Sequence, residues 1–499
     1  MTIPSTEEDA QHSADAEARQ HELGQFFTAG SIADFMASLF SAKFREIHLL
    51  DAGAGTGALS AAMVHRLCGQ SRKPKSIAIT ACELDSDVLP QLQHTLEDCA
   101  QQCEAAGIQF TSTVHNADFI EAFVPSLRGD LFATPAPRFN AAIVNPPYRK
   151  IRSDSSTRHL LSSAGIETSN LYTAFLSLII RLLSPGGELV AITPRSFCNG
   201  PYFRPFREEF LDTMSLRRVH VFESRSTAFR DDDVLQENII FHAVKAPKPP
   251  KQIIVSTTSG ELDVAPTCRK VPFSDVVVPG DSERFIHLVT SHEDKRVRKA
   301  VAMFSTTLEE LGLSVSTGRV VDFRARDHLR QNPAENTAPL IYPCHFNGRV
   351  IDWPKSGRKP NAILNGPETA DLLVPAGIYV LVKRFTTKEE RRRIVACIYD
   401  PARIPASRVG FENHLNYFHA NGRGLDMLLA KGLAAFLNSP MVDNYFRQFN
   451  GHTQVNATDL RNLKYPTRHQ LLVLGAACDD DTEAAANVAI LKRESNATA

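Results

Sequence analysis

The first half of the chain alternates short apolar runs with helical segments. Each apolar run ends in a glycine or a polar residue, as in IHLLDAG, SIAITACELD, FTSTVHNAD, FNAAIVNPP and GELVAITPR. Segments with helical periodicity lie between them, among them GALSAAMVHRL and LYTAFLSLIIRLLS. This rhythm predicts βαβ units and a mostly parallel sheet, with the functional residues at the carboxyl ends of the strands.

Breaks in this pattern predict the domain organisation. Residues 1–20 are polar and acidic and predict a disordered leader, whereas the alternating pattern extends over residues 21–245. The stretch KAPKPPK, which is rich in proline and lysine, predicts a linker. Denser turn signals and fewer helices follow it, which favours a second, mixed α/β domain over residues 252–468 and a tail over residues 469–499.

Composition limits the class of protein. Hydrophobic residues make up 43% of the 499 residues and charged residues 22%, as is ordinary for a folded chain with several domains. Because 55 Lys and Arg nearly balance 56 Asp and Glu, any surface that binds nucleic acid must be local. No apolar run is long enough for a membrane span, and the N-terminus does not resemble a signal peptide. Nine scattered cysteines predict reduced thiols in a cytoplasmic protein, with neither a disulfide framework nor a metal site.

A glycine-rich turn follows the first apolar run. Asp51, Gly53, Gly55 and Gly57 lie in DAGAGTG, between the strand IHLL and a helix. Glycines let the backbone turn tightly there and approach a ligand closely. Three interpretations are open: a site for S-adenosylmethionine (SAM), a site for a nucleotide, and a purely structural turn. The spacing is more similar to motif I of SAM-dependent methyltransferases than to the dinucleotide fingerprint.

Carboxylates end the next two predicted strands. Glu83 closes ITACE and can accept hydrogen bonds from both hydroxyls of a ribose. Asp118 can accept from the exocyclic amine of an adenine, with Phe119 against the ring. Each acid taken alone is more often a helix N-cap or a solvated turn residue. Their position after the glycine run favours a shared site for SAM.

The tetrapeptide Asn145-Pro146-Pro147-Tyr148 follows the strand FNAAIV. Two prolines at this position ordinarily do no more than end a strand. The Asn145 side chain and the Pro146 backbone, however, offer two carbonyl oxygens that can hold both hydrogens of an exocyclic amine. The nitrogen lone pair is then directed at a methyl sulfonium, while Tyr148 offers a stacking face to a planar substrate. This indicates direct in-line methyl transfer, catalysed by positioning and electrostatics.

Together these motifs resemble the gamma-class adenine-N6 DNA methyltransferases, in particular modification methylases of the PstI and BsuBI type, with TaqI-like enzymes as a wider circle. Residues 24–28, GQFFT, are similar to motif X of that family, so Thr28 is implied to contact SAM; the proline that usually follows is Ala29 here. Residues 170–175 resemble motif V, and residues 184–196 resemble motifs VI and VII. The resemblance implies a Rossmann-like SAM-dependent methyltransferase domain over residues 21–245. It also implies a C-terminal target-recognition domain that binds DNA.

The resemblance also implies an aromatic side chain that stacks on the flipped base. Phe222 in RVHVFESR has the matching position, and Phe229 is a rival. Core packing is the alternative for either residue.

Basic residues cluster locally in spite of the neutral total. One group follows the tetrapeptide directly, and two more lie within residues 319–359 and 383–408. Such runs are usually solvated faces, but beside a DNA-modifying domain we expect phosphate contacts. The residues expected to bind DNA are Arg149, Lys150, Arg358, Lys383 and Arg384.

We therefore predict a site-specific adenine-N6 methyltransferase of a restriction–modification system, which flips an adenine out of double-stranded DNA held between two lobes. A cognate restriction endonuclease encoded nearby is a further expected partner, without a stable complex. The first alternative is a SAM-dependent methyltransferase that acts on RNA or on a protein glutamine, since such enzymes share the tetrapeptide. The second is a non-catalytic DNA-binding relative, against which the intact tetrapeptide and glycine run argue.

Overall fold

The computed structural model describes residues 28–41, 43–127, 137–222, 237–258, 265–386, 391–449 and 454–477. The chain divides into two compact units between Thr290 and Ser291. Within these described ranges, no helix combines the length and apolar character needed to cross a membrane.

A nine-stranded sheet forms the framework of the first unit. Its strands are β1 (Glu46–Ala52), β2 (Ser76–Glu83), β3 (Gln109–Asn116), β4 (Phe139–Val144), β5 (Leu183–Pro194), β6 (Met214–Phe222), β7 (Asn238–Lys245), β8 (Gln252–Thr258) and β9 (Thr267–Pro272). They lie in the order β3-β2-β1-β4-β5-β7-β6-β8-β9. Strands β1 to β5 are parallel, as predicted, whereas β7 runs antiparallel to both neighbours. The order reverses between β1 and β4, where open α/β sheets bind their ligands.

Helices cover both faces of this sheet. They are α1 (Gly30–Ser38), α2 (Ala58–Cys68), α3 (Leu89–Ala105), α4 (Phe119–Leu127), α5 (Ser156–Ser163), α6 (Leu171–Leu182), α7 (Arg204–Thr213) and α8 (Phe273–Val276). Successive side chains of β1 alternate between the faces, because the side-chain period of a strand is two. Leu49 joins the core under α1, α2 and α3, and Leu50 joins the core under α4 to α7. The predicted Rossmann-like architecture is confirmed.

The predicted linker at residues 245–251 does not separate the two units. Strand β8 begins directly after it and pairs with β6, and Ile253 of β8 is buried in the same core. The Lys245 ammonium donates to the carbonyl oxygen of Ile180 at 2.6 Å, which anchors the start of this stretch. Prolines end a strand here because they lack an N–H, but the apolar core continues on both sides. The boundary therefore falls later in the chain than the composition indicates.

The second unit contains two sheets and is mixed α/β, as predicted. Its strands are β10 (Ser314–Thr317), β11 (Leu329–Arg330), β12 (Thr337–Ile341), β13 (Phe346–Asn347), β14 (Val350–Ile351), β15 (Ala362–Leu364), β16 (Leu373–Pro375), β17 (Tyr379–Lys383), β18 (Ala396–Tyr399), β19 (Arg408–Phe411) and β20 (Leu415–His419). One sheet has the order β10-β20-β17-β18-β14-β13 and the other β11-β15-β12-β19-β16. Its helices are α9 (His292–Val301), α10 (Met427–Leu437), α11 (Pro440–Phe449), α12 (Ala457–Asn462) and α13 (Arg468–Ala477).

The predicted tail, residues 469–499, begins in a packed helix instead. Helix α13 lies against α10 so closely that a Cβ added at Gly432 would collide with the carbonyl oxygen of Leu471. Two glycine-bearing helices can touch backbone to backbone, which the composition of this stretch does not reveal. The rest of the predicted tail, and the predicted leader at residues 1–20, lie outside the described residues.

Candidate functional site

A cleft opens at the carboxyl ends of β1 to β4, where the strand order reverses. It encloses about 800 Å³ of space that is partly open to solvent. The predicted site residues that line it are Gly53, Gly55, Glu83, Asp118, Phe119, Asn145, Pro147 and Arg149. Five further lining residues were given no role from the sequence: Cys82, Leu84, Ala117, Leu171 and Phe175. The fold thus brings the predicted cofactor and catalytic motifs into one cleft.

The glycine run has a backbone that other residues rarely adopt. Gly53, Gly55 and Gly57 have φ angles of 75°, 54° and 86°, all in the left-handed region. A Cβ on Gly57 would also lie 3.0 Å from a methyl group of Leu92 in α3. Conformation therefore favours glycine at all three positions, packing adds to this at Gly57, and the resulting turn forms one wall of the cleft.

The Glu83 carboxylate fixes this turn from the neighbouring strand. It is 2% exposed, and its Oε2 accepts a hydrogen bond from the backbone N–H of Gly55 at 2.7 Å. Its Oε1 accepts from the N–H of Asp85, also at 2.7 Å. Because a carboxylate has about four acceptor positions, these two bonds orient it without exhausting it. Glu83 can therefore accept from ligand hydroxyls while it holds the turn.

Asp51 lies fully buried at the end of β1. Its Oδ2 accepts from the Ser60 hydroxyl at 2.6 Å, whereas its Oδ1 has no hydrogen-bond partner among the described residues. Burial, reinforced by the charge of Glu83, raises the pKa of Asp51 to about 7. A cation nearby would favour the ionised form and lower this pKa. The unpartnered oxygen therefore fits a site for a positively charged ligand.

Asp118 caps a helix and also lines the cleft. Its Oδ1 accepts from the N–H groups of Ile120 at 2.7 Å and Glu121 at 3.1 Å, so it caps the start of α4. The same residue lines the cleft together with Phe119. The Phe119 ring packs against that of Phe175, with 5.0 Å between centroids. Capping thus holds the carboxylate in place at the wall of the cleft.

The tetrapeptide Asn145 to Tyr148 leaves β4 at the floor of the cleft. The Nδ2 of Asn145 donates to the Thr28 hydroxyl at 3.2 Å, and the Tyr148 hydroxyl donates to Oδ1 of Asn145 at 2.9 Å. These two bonds fix the carboxamide with its carbonyl oxygen toward Tyr148. The Tyr148 ring packs edge-on against Tyr172, with 6.3 Å between centroids. Asn145 is therefore an oriented hydrogen-bond acceptor.

Motif X is described only at its last residue. Thr28 contacts Asn145, directly before α1, whereas residues 24–27 lie outside the described residues. The sequence placed Thr28 with the cofactor and gave no sign of its bond to the tetrapeptide.

Phe222 is the last residue of β6. It is 8% exposed and packs edge-on against His220, with 4.9 Å between centroids. This burial supports the core-packing alternative. The residue nevertheless ends its strand on the side of the sheet where the cleft opens. The rival Phe229 lies outside the described residues.

Two of the basic residues expected to bind DNA follow the tetrapeptide in the first unit. Arg149 and Lys150 are both exposed. The carbonyl oxygen of Arg149 accepts from the N–H of Leu171 at 2.8 Å, so this segment is tied to the start of α6. Arg149 thus lines the cleft, and Lys150 follows it in the same anchored segment.

The other three basic residues belong to the second unit and differ in their surroundings. Arg358 is exposed, whereas Lys383 and Arg384 are half-buried. The Lys383 ammonium lies 5.7 Å from the centroid of the Phe346 ring, and Arg384 donates to the carbonyl oxygen of Asn413 at 3.2 Å. Arg358 is therefore the freest of the three to meet a phosphate.

Known proteins are similar to this chain in sequence and in fold. Residues 74–229 match the family model of the Eco57I restriction-modification methylase. The chain is 46% identical over 472 residues to Type II methyltransferase M.PstI of Providencia stuartii, across 94% of this chain and 92% of the relative. It is 47% identical over 457 residues to Type II methyltransferase M.BsuBI of Bacillus subtilis, across 91% and 89%. The solved Type IIL restriction-modification enzyme MmeI in complex with DNA has a similar fold, with a TM-score of 0.52 and 11% identity across 94% of this chain and 68% of that one.

Proposed function

Because the chain belongs to the type II restriction–modification methyltransferases, we propose that it methylates N6 of adenine at one specific sequence in double-stranded DNA. The observation that carries this proposal is one cleft that holds Glu83, Asp118 and the oriented carboxamide of Asn145. The residues proposed for the cofactor and the proposed acceptor for a planar amine thus lie at the same strand ends.

SAM is the cofactor whose chemistry fits these residues. When bound, it supplies a methyl group activated by a positively charged sulfonium. The unpartnered buried oxygen of Asp51 suits a cationic ligand. We assign the ribose hydroxyls to Glu83, and the adenine amine and ring to Asp118 and Phe119. The glycine turn and Thr28 complete the proposed site.

Asn145 and Pro146 would hold the target amine. Their carbonyl oxygens accept its two hydrogens, which draws the nitrogen lone pair out of conjugation with the ring. The Tyr148 hydroxyl now donates to Oδ1 of Asn145, so the amine takes over an acceptor that is already oriented. Such preorganisation lowers the barrier because little has to move during the reaction. We assign Tyr148 as the stacking face for the flipped base, whereas the burial of Phe222 in the core favours a structural role for that ring.

The DNA contacts are assigned to the exposed and half-buried basic residues. These are Arg149, Lys150, Arg358, Lys383 and Arg384. Extrusion of the base costs a few kcal/mol, which backbone contacts must offset. A restriction endonuclease with the same recognition sequence, encoded nearby, is the partner expected in function, and a DNA substrate implies a cytoplasmic enzyme.

The test is expression in a bacterial host that lacks its own adenine methylation. Single-molecule sequencing of the genomic DNA should find N6-methyladenine confined to one short motif. An Asn145→Ala variant, expressed to the same level, should leave that motif unmodified. If the wild-type protein binds SAM but modifies no adenine, the DNA proposal fails, and labelled SAM should then be tested with RNA and with protein glutamines.

A further inference from the structure

A buried carboxamide in the first unit makes no hydrogen bond to any residue that the structure describes. Asn238, the first residue of β7, is 6% exposed, and neither its Nδ2 nor its Oδ1 has a partner among the described residues. Asn438 in the second unit is equally buried, at 5%, but exchanges two hydrogen bonds with the backbone of Ala396, at 2.9 and 3.0 Å. An unsatisfied buried amide destabilises the fold, so its presence points to a use outside the fold.

Strand register places Asn238 beside the proposed substrate site. It pairs with Pro194 of β5, and the register between β6 and β7, continued by one residue, sets it next to Phe222. Strand β5 is in turn the neighbour of β4, which ends just before Asn145. Asn145 continues β4 level with Ile192, two residues before Pro194, so two strand spacings and two residues separate the backbones of Asn145 and Asn238 by roughly 12 Å. Strand β5 lies between them, and a planar base seated above its carboxyl end can reach both side chains.

The two carboxamides also lie on the same face of the sheet. Side chains two residues apart on a strand share a face. Asn238 is two residues from Ile240 and Asn145 is two residues from Ile143, and both isoleucines belong to the core under α1, α2 and α3. The bond from Asn145 to Thr28, directly before α1, agrees with this placement. Asn238 is therefore aimed toward the same side and the same edge as the proposed catalytic acceptor.

We propose that Asn238 binds the ring edge of the target base. This inference rests on the proposed function, in which Asn145 and Pro146 hold both hydrogens of the amine. The remaining strong acceptors of adenine are its ring nitrogens, and Nδ2 of Asn238 donates to one of them. Its Oδ1 then faces a ring C–H, which is a weak donor. A carboxamide against a base edge is a recurrent means of recognising adenine.

The experiment uses the full chain and DNA duplexes that carry the sequence found by the methylation assay. The target position holds adenine, 1-deazaadenine, 3-deazaadenine or 7-deazaadenine. Single-turnover methylation is measured for the wild-type protein and for Asn238→Leu, with Asn238→Ala as a second variant in case leucine does not fit.

Loss of the base contact has a specific signature. Asn238→Leu should slow methylation of adenine roughly tenfold to a hundredfold. With one of the three analogues, the wild-type protein should be slower than with adenine by a similar factor. The variant should methylate that analogue as fast as it methylates adenine. The thermal midpoint of the variant should be equal or higher, because an unsatisfied amide has been removed. The control Asn438→Leu should lose stability, since it breaks two hydrogen bonds.

Two results would overturn the assignment. Equal slowing of wild type and variant by all three analogues would show that Asn238 does not contact the ring. Weaker SAM binding by Asn238→Leu in the absence of DNA would assign the carboxamide to the cofactor instead. Failure of the proposed function looks different, because the wild-type protein would then leave even the unmodified adenine duplex without a methyl group.

Discussion

Individual buried polar residues of the two units differ in how far their hydrogen bonds are satisfied. In the second unit, Asn361 is 2% exposed and all of its side-chain polar atoms are hydrogen-bonded. Its Oδ1 accepts from the N–H of Lys355 at 2.9 Å. Its Nδ2 donates to the carbonyl oxygens of Gln331 and Lys355, both at 3.0 Å. In the first unit, Asp51 and Asn238 are equally buried but keep polar atoms without partners among the described residues. Saturated groups hold loops in place, whereas unsatisfied ones point to a ligand that completes them.

The charged residues show the same contrast. The Glu83 carboxylate is fixed by two backbone donors, as electrostatic catalysis and cofactor binding require. Arg358 of the second unit is exposed on the loop that Asn361 supports. A phosphate contact needs charge more than fixed geometry, so an exposed and adaptable side chain suffices. Substitutions in the two units should therefore differ in both size and kind of effect.

The largest effect is expected at the oriented acceptor of the first unit. Asn145→Ala should lower the methyl-transfer rate at least about a thousandfold, because it removes one of two acceptors for the amine. Single-turnover kinetics would measure this rate. SAM and DNA binding, measured by calorimetry, should stay nearly unchanged. Asn140→Ala is the matched control. Asn140 lies on the same strand, where its side chain bonds the backbone of β1 at His48 and Glu46, so its loss should reduce stability and not chemistry. Loss of SAM binding in Asn145→Ala would contradict the assigned role.

A smaller effect is expected at the carboxylate that holds the glycine turn. Glu83→Gln replaces one acceptor oxygen with a donor, which conflicts with one of the two backbone N–H groups. SAM affinity should fall roughly tenfold to a hundredfold, as measured by equilibrium dialysis with labelled SAM. Glu188→Gln alters another buried carboxylate of the same sheet, bound to His242, and should affect stability alone. Equal SAM affinity in both variants would remove Glu83 from the cofactor site.

The pH dependence of SAM binding should report on Asp51. Since its pKa in the free protein is raised to about 7, binding of a cation must release a proton below that pH. Affinity should therefore rise up to about tenfold per pH unit until about pH 7 and then level off.

The stability of the protein without SAM should depend on the same carboxyl. The folded state keeps a proton that the unfolded chain loses above pH 3.8, so stability should fall as the pH rises from 3.8 to about 7. Asp51→Asn should flatten both profiles, and calorimetry in buffers of different ionisation enthalpy would detect the proton. A proton release that persists in Asp51→Asn would identify another group.

The smallest effect is expected in the second unit. Arg358→Ala should weaken DNA binding a few-fold and reduce the slope of log affinity against log salt by about 0.9, the value for one phosphate contact. Its thermal midpoint should not change. Arg393 serves as the contrast, because it is 2% exposed and donates to the carbonyl oxygen of Thr386. Arg393→Ala should lower the thermal midpoint. The fraction that still folds should keep the wild-type slope of log DNA affinity against log salt. An unchanged slope in Arg358→Ala would exclude that phosphate contact.

Much of the first unit could be predicted from its sequence. Four strands lie where their apolar patterns predict them: those that lead to the glycine run, to Glu83, to Asp118 and to Asn145. Each signal depends on a few consecutive residues: a left-handed glycine, a cap, or a proline that ends a strand. The stretch at residues 245–251 misled for the same reason, since a local break in a strand says nothing about whether the core continues.

Tertiary structure alone decided which polar groups are satisfied. Nothing in the sequence separates Asn238 from Asn361, or Arg393 from Arg358, because burial and hydrogen bonding depend on strands and helices far apart in the chain. The sequence by itself determined the parallel sheet, the glycine turn and the tetrapeptide that ends β4, since local backbone geometry specifies them. The register that sets Asn238 beside Phe222, and the bond that orients Asn145, exist only once distant segments have paired.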